Sequence, residues 1–281
     1  MKNFFQAVGI ISLLCFSFIY TEKTVMVVKE FDDIMVQLKA QNDAYRIPAI
    51  DALIDGNTII PGISGSEIHI DKSYSKMKRY GKYNEKLLAY TTISPNISLT
   101  KNMDKYVIQG NKEKRMVSLL FLVEGNDSVV PLLKVLSDKN IKATFFVDGS
   151  WVEKNNDVLI EIINQGHEIG NLGYNYSYTS SSFAWLDTKI KKVSKQNEGY
   201  CYSEVDNTDT LSICSMNHNY TIRPNIVTMD TPSITIKENL QAGGLIALHI
   251  YDGLENELPV ILHIIESKGF TISILSEHLK E

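Results

Sequence analysis

The sequence predicts an α/β protein, a distorted seven-stranded (β/α) barrel preceded by a membrane anchor and a small turn-rich module. Three observations carry this. From Met116 onward, apolar β-rich runs alternate with amphipathic helical segments, the rhythm of parallel strands joined by right-handed crossovers. About seven such units fit, too few for a complete eight-stranded barrel. Before them lies a stretch dense in Gly and Pro turns, and before that an apolar run broken only by Gln6, Gly9 and two serines.

In chain order, Lys2 precedes the apolar run Phe4–Tyr20. Its length is at the short end of the roughly 17–25 residues that span a bilayer. No Ala-x-Ala cleavage site follows, and Cys15 is preceded by Leu14 rather than by the small residue of lipoprotein processing. Residues 1–21 therefore read as an uncleaved single-pass anchor, with the bulk of the chain extracytoplasmic. Residues 22–43 place Val27, Phe31, Ile34, Met35 and Leu38 at helical spacing, an amphipathic juxtamembrane helix whose stripe packs on its own domain. Residues 44–112 form the turn-rich module, punctuated at Asp55-Gly56, Pro61-Gly62 and Gly65, and carry no catalytic motif.

Residues 113–281 hold the barrel-like domain. "MVSLLFL" reads as a buried strand, and "DSVVPLLKVLSDKN" as a helix closed by Asn140. "KATFFV" is the next strand, followed by a helix ending at Gly166, a good C-cap position. "HEIGNL", "YCY", "YTIRPNIV", "GLIALHI" and "FTISIL" supply the remaining strands, with helices between them. In such barrels the site forms at the C-terminal strand ends.

Composition narrows the function. With 44% hydrophobic and 22% charged residues the chain can bury a sizeable core. A net charge of −5 and the lack of a basic patch interleaved with aromatics exclude a nucleic-acid partner. Cys201 and Cys214, outside the anchor, either form a disulfide or stay as buried thiols.

The stretch "KATFFVDGSWVEKNNDVLIEIINQGHEIGN", residues 142–171, resembles the polysaccharide deacetylase family, the NodB-homology domain of carbohydrate esterase family four. The resemblance implies a distorted (β/α) barrel that removes acetyl groups from peptidoglycan, chitin or related polymers with one divalent metal. That chemistry asks for imidazole and carboxylate ligands with open positions, a carboxylate base for the metal-bound water, and a histidine acid for the leaving amine.

The matching positions are largely emptied. The adjacent aspartates of the family fall on Val123, in place of the base, and Glu124, in place of a metal ligand. The His-x-x-x-His pair falls on Leu172 and Tyr176, and the arginine of the Arg-Pro-Pro-Tyr segment on Gly199, with Tyr202 retained. His249, in "ALH", matches the general acid. The expectation is a catalytically inactive protein of this fold with no cofactor, whose residual candidates are His249 and Glu124. Tyr174, Tyr176, Trp185 and Tyr202 are the candidates for stacking on sugar rings. The expected partners are the membrane and either cell-wall glycan or another protein. The alternative is an active hydrolase of non-peptide C–N bonds, with zinc or cobalt, in which Glu124, Asp127, His249 and Asp252 form a rewired site.

Overall fold

The computed structural model describes residues 17–18, 29, 32–175, 177–194, 199–229 and 231–281. Apart from Ser17 and Phe18, the expected anchor lies outside the described residues, as does the start of the juxtamembrane helix. Among the described residues no helix is long and apolar enough to cross a membrane.

The chain runs through α1 (Asp33–Tyr45), β1 (Leu53–Asp55), β2 (Thr58–Ile60), β3 (Gly65–Ile68), α2 (Ile70–Tyr80), β4 (Tyr90–Ile93) and β5 (Tyr106–Val107). It continues with β6 (Met116–Val123), α3 (Val130–Asp138), β7 (Thr144–Val147), α4 (Gly149–Lys154), α5 (Asn156–Asn164) and β8 (Glu168–Asn171). Next come α6 (Ser180–Ser194), β9 (Gly199–Tyr202), α7 (Thr208–Met216), β10 (Asn219–Ile222) and β11 (Ile226–Thr228). The last elements are α8 (Pro232–Asn239), β12 (Leu245–His249), α9 (Leu254–Ser267), β13 (Thr271–Ile272) and α10 (Leu275–His278).

Two compact units result, residues 1–49 with 64–94 and residues 50–63 with 95–281. In the smaller unit, Asp32 caps α1 by accepting the Ile34 amide, and Ile34 and Leu38 pack with Ile68 and Met77. Of the expected apolar stripe, Ile34, Met35 and Leu38 are buried, while Val27 and Phe31 lie outside the described residues. The antiparallel pair β3–β4 completes that unit.

The larger unit is an α/β fold around a curled half-barrel sheet of mixed strands. Seven parallel strands run in the order β10–β9–β8–β7–β6–β12–β11. Among the described residues the full sheet has eleven strands rather than the seven expected, and this run of seven is also composed differently. "YTIRPNIV" is two strands far apart in the sheet, β10 pairing β9 and β11 pairing β12, because Arg223-Pro224 interrupts the run and proline has no amide to donate. "FTISIL" contributes only two residues, which pair with the start of β6.

The expected border at residue 112 also differs. β5 joins β10 and β2 joins β5, both in parallel, and β1 closes the edge antiparallel to β2. Strands of two or three residues leave too little alternation to be recognised in sequence. They fill the concave core nevertheless: Ile59, Leu99 and Val107 cluster there with Leu120, Leu122 and Leu245. The last residue ties the same segments down, its Glu281 carboxylate accepting the Gly62 and Leu99 amides at 2.9 Å each.

The chain termini of the crossovers follow local chemistry. Asn140 and Gly166 take positive φ where their helices stop, at 52° and 82°. Cys201 on β9 and Cys214 on α7 are joined as a disulfide, both fully buried. His167 is buried and accepts the Ala143 amide, a structural role. His278, expected at the surface, is fully buried because α10 folds under the sheet, where its Nδ1 lies 2.9 Å from Ser118 Oγ. Burial pushes both imidazoles down to about 4.

Full burial of Ile59 and Val107 is worth about 1.5–3 kcal/mol each. Ile59→Ala should therefore cost about 2–5 kcal/mol in chemical unfolding of the full chain. A fragment of residues 113–281, which lacks this part of the core, should lose the cooperative transition that residues 32–281 show. Equal transitions would make β1, β2 and β5 dispensable.

Candidate functional site

The parallel register levels the C-terminal strand ends. Val123 pairs with Val147, Val147 with Asn171, Asn171 with Cys201, and His249 with Leu122. Side chains alternate between the two faces of a strand. Leu122, Phe146, Leu172, Tyr202 and Ala247 point into the concave core. Val123 and Val147 lie in the other cluster, between the sheet and the helices, with Trp151 and Leu254. Continuing the alternation carries Glu124, Asp148 and His249 to the mouth of the concave side.

The centre of this mouth is an ion pair. His249 Nε2 lies 3.0 Å from Glu204 Oε1, and the Tyr202 hydroxyl donates to the same oxygen at 2.8 Å. The hydrogen bond to Glu204 lifts the His249 imidazole above its ordinary 6.5, with the Glu204, Glu124 and Asp127 charges adding, although partial burial opposes it. The hydrogen bond from His249 holds Glu204 below its ordinary 4.5, helped by Tyr202. Glu204 had no motif to mark it. Its one signal in the sequence is position, two residues past the end of the "YCY" strand.

The set Glu124, Asp127, His249 and Asp252 does come together. Asp127 accepts the Glu124 amide at 2.9 Å, closing a turn rather than capping α3. Burial raises its carboxyl above the ordinary value, and the Glu124 and Asp252 charges raise it further. A hollow of about 530 Å³ opens beside it, lined in part by Asn126, Asp127, Ser128, Asp252 and Glu255. Asp148, also at the mouth, is buried and spends Oδ1 on capping α4 through the Ser150 amide and hydroxyl.

The metal implied by the resemblance does not fit these donors. Val123 and Leu172 carry no donor atom, and Leu172 is buried among apolar side chains. Tyr176 lies outside the described residues. Among the described residues, no group of three or more His, Cys, Asp or Glu side chains is placed to hold a metal ion. The motif positions give Glu124 no imidazole, and the nearby His249 is engaged with Glu204.

The three described aromatic candidates, Tyr174, Trp185 and Tyr202, do not form one platform. Tyr174 and Trp185 meet at 6.0 Å, nearly perpendicular, on the rim. Tyr202 is only 5% exposed and packs on Phe146, so its ring is closed to a sugar and only its hydroxyl works, on Glu204. Its burial follows from the alternation of β9, which turns Tyr200 and Tyr202 inward together.

The fold and the motif positions can now be set beside known proteins. Residues 109–209 match the family profile described as polysaccharide deacetylase. YlxY of Bacillus subtilis (strain 168), described as uncharacterized, is 28% identical over 277 residues, 92% of this chain and 87% of that protein. BA3943 of Bacillus anthracis, described as a CE4 family pseudoenzyme, shares the fold with a TM-score of 0.67 at 22% identity, covering 89% of this chain and 96% of its own. PdaA of Bacillus subtilis, a family 4 carbohydrate esterase, shares it with a TM-score of 0.55 at 17% identity, covering 64% of this chain and 87% of its own. Residues 109–209 are thus similar to the polysaccharide deacetylase family, and the solved structures share the fold.

The ion pair has a defined pH window. A raised histidine stabilises the fold below its unfolded value and loses that contribution as pH rises through the folded value. A depressed carboxylate does so above its unfolded value and loses it as pH falls. The Glu204–His249 pair should therefore contribute between about 4.5 and the raised His249 midpoint. An NMR titration should place that midpoint above 6.5, and Glu204→Gln should lower it. A midpoint unmoved by Glu204→Gln would show that the contact does not persist in solution.

Proposed function

We propose that this chain is a membrane-anchored, extracytoplasmic, catalytically inactive relative of the polysaccharide deacetylases that binds cell-wall glycan without turnover. The observation that carries the reading is chemical. The positions matching the catalytic base and the first metal-binding histidine hold Val123 and Leu172, which can neither take a proton nor ligate a cation. A lone Glu124 does not hold a transition metal at useful affinity. Likeness to BA3943, described as a pseudoenzyme, supports the same reading, as does the description of one BA3943 mutant as having restored enzymatic activity. The apolar run Phe4–Tyr20 supports the anchor.

A second reading rests on the proximity of Glu124, Asp127, His249 and Asp252 and on the polarised His249–Glu204 pair. It makes the chain a hydrolase of non-peptide C–N bonds with a rewired site and one zinc or cobalt ion.

Calorimetric titration of zinc and cobalt separates the two. The wild type should take up neither stoichiometrically and should release no acetate from acetylated glycan oligomers, while co-sedimenting with purified peptidoglycan. Leu172→His, Tyr176→His and Glu124→Asp together should restore metal binding, because that needs only the ligands. Tight stoichiometric binding by the wild type, lost in His249→Ala, would establish the rewired hydrolase instead. The anchor is checked separately by mass spectrometry of the mature protein, which should retain its N-terminus; a start between residues 16 and 30 would show cleavage.

A further inference from the structure

The smaller unit carries a charged face that the site described above does not use. Between Ile70 and Lys86 the sequence holds six Lys and Arg residues against two acids, Asp71 and Glu85, in a chain whose net charge is −5. Helix α2 sorts these charges by position. Its Ser73 and Met77 are buried, and Met77 packs with Ile34 and Leu38 of α1. Two flanking cations are already paired, Lys78 with Asp32 and Lys29 with Asp71, both at 2.5 Å. Lys72, Lys76 and Arg79 stand at i, i+4 and i+7, one exposed stripe on the side away from Met77. Among the described residues no carboxylate pairs with any of the three. The stripe continues into Tyr80, 55% exposed, with the Lys82 ammonium 5.9 Å from its ring centre.

Helix chemistry alone does not ask for this stripe. A cation in the last turn suits the helix dipole, as Arg79 does. Lys72 lies in the first turn, where positive charge opposes the dipole. Solubility needs charge of either sign, whereas like charges one turn apart repel each other. The stripe therefore works against the helix that carries it, and an anionic partner would relieve it. Position along the chain supplies that partner. Lys29, whose ammonium reaches Asp71 in the first turn of α2, lies nine residues after Tyr20, the end of the apolar run. Nine residues extend at most about 32 Å. An anchor in the bilayer thus keeps α2 near the surface at high effective concentration.

We infer that this stripe docks on the anionic headgroups of the bilayer that holds the anchor. Lys72, Lys76 and Arg79 meet phosphate oxygens, and Tyr80 enters the interface. The inference rests on the anchor in the reading above and is independent of glycan binding. Each Lys or Arg near an anionic surface strengthens attraction roughly fivefold, so three give about a hundredfold at low salt. The Arg79 guanidinium can grip one phosphate through two parallel N–H donors. Tyrosine rings favour the headgroup layer, where one end is apolar and the other wet. Docking holds the smaller unit against the surface, where the tether alone would leave it free to turn.

The test uses the full chain reconstituted in lipid vesicles. Ser75 is exposed and adjoins the stripe, three residues after Lys72 and four before Arg79. Ser75→Cys with Cys15→Ser leaves one free thiol for a fluorophore, since Cys201 and Cys214 are bonded. Lipid carrying a spin label on its headgroup should quench that fluorophore at least threefold more with about 30% phosphatidylglycerol than in phosphatidylcholine alone. Salt at about 0.5 M should remove the difference. Lys72→Gln, Lys76→Gln and Arg79→Gln together, with an unchanged melting curve, should remove it as well. Equal quenching in both lipids, or a triple variant that keeps the difference, overturns the docking and leaves the anchor standing. Soluble polyphosphate that abolishes the difference, at the phosphate concentration of the lipid, assigns the stripe to a free polyanion and overturns the bilayer as its partner. A chain that alkaline carbonate strips from the vesicles has no anchor, and the inference falls with it.

Discussion

The period-two alternation of β6 is the constraint on which the rest of the larger unit depends. This strand is buried on both faces, and its residues divide strictly: Val117, Leu119, Phe121 and Val123 go to the helix side, Leu120 and Leu122 to the concave side. Its neighbours β7 and β12 pair with it in parallel and inherit the phase. A shift of one residue would exchange the two cores, so the phase is held by apolar surface on both sides. Because the strand ends are level, the same phase decides which of two adjacent motif residues faces the mouth. It sends Glu124 there and buries Val123.

What gathers at the mouth is therefore a matter of charge balance more than of motif. Glu204, Glu124 and Asp127 raise His249, while burial, with the Glu124 and Asp252 charges, raises Asp127. Glu204 takes the strongest share because it reaches His249 directly and accepts Tyr202 as well. The hydrogen bond to a carboxylate favours the protonated form of this histidine. It serves as the counter-ion of an acidic rim, and its donor is already engaged with Glu204.

Much of the fold was legible in the sequence because long elements carry redundant signals. The eight-residue β6 run, the Asn140 and Gly166 stops and the helix over Thr208–Met216 all stand where pattern and cap chemistry place them. Short elements carry no such redundancy. β1, β2 and β5 have two or three residues each, and only partners far along the chain reveal them as strands of the main sheet. Arg223-Pro224 shows that a single break can send the two halves of an apparent strand to distant places in one sheet. The site was half legible. His249 and Glu124 were marked by their motif positions, whereas Glu204 is defined only by the register of β9 against β10 and by the reach of its side chain.

The two motif losses are unequal in physical terms. Leu172 lies on the concave side at the mouth and is 8% exposed, so an imidazole in its place would still point toward Glu124 and would sit at the edge of water. Val123 is fully enclosed between the sheet and the helices, beside Val147 and Trp151. A carboxylate there would enter an apolar layer in which the Trp151 indole N–H already donates to the Asp127 carbonyl, and an unpaired buried charge neutralises or forces its surroundings to move. The ligand position has been replaced, while the base position has been absorbed into the core. Metal binding and proton transfer are thus separated by the alternation of one strand, and the first is the easier of the two to regain.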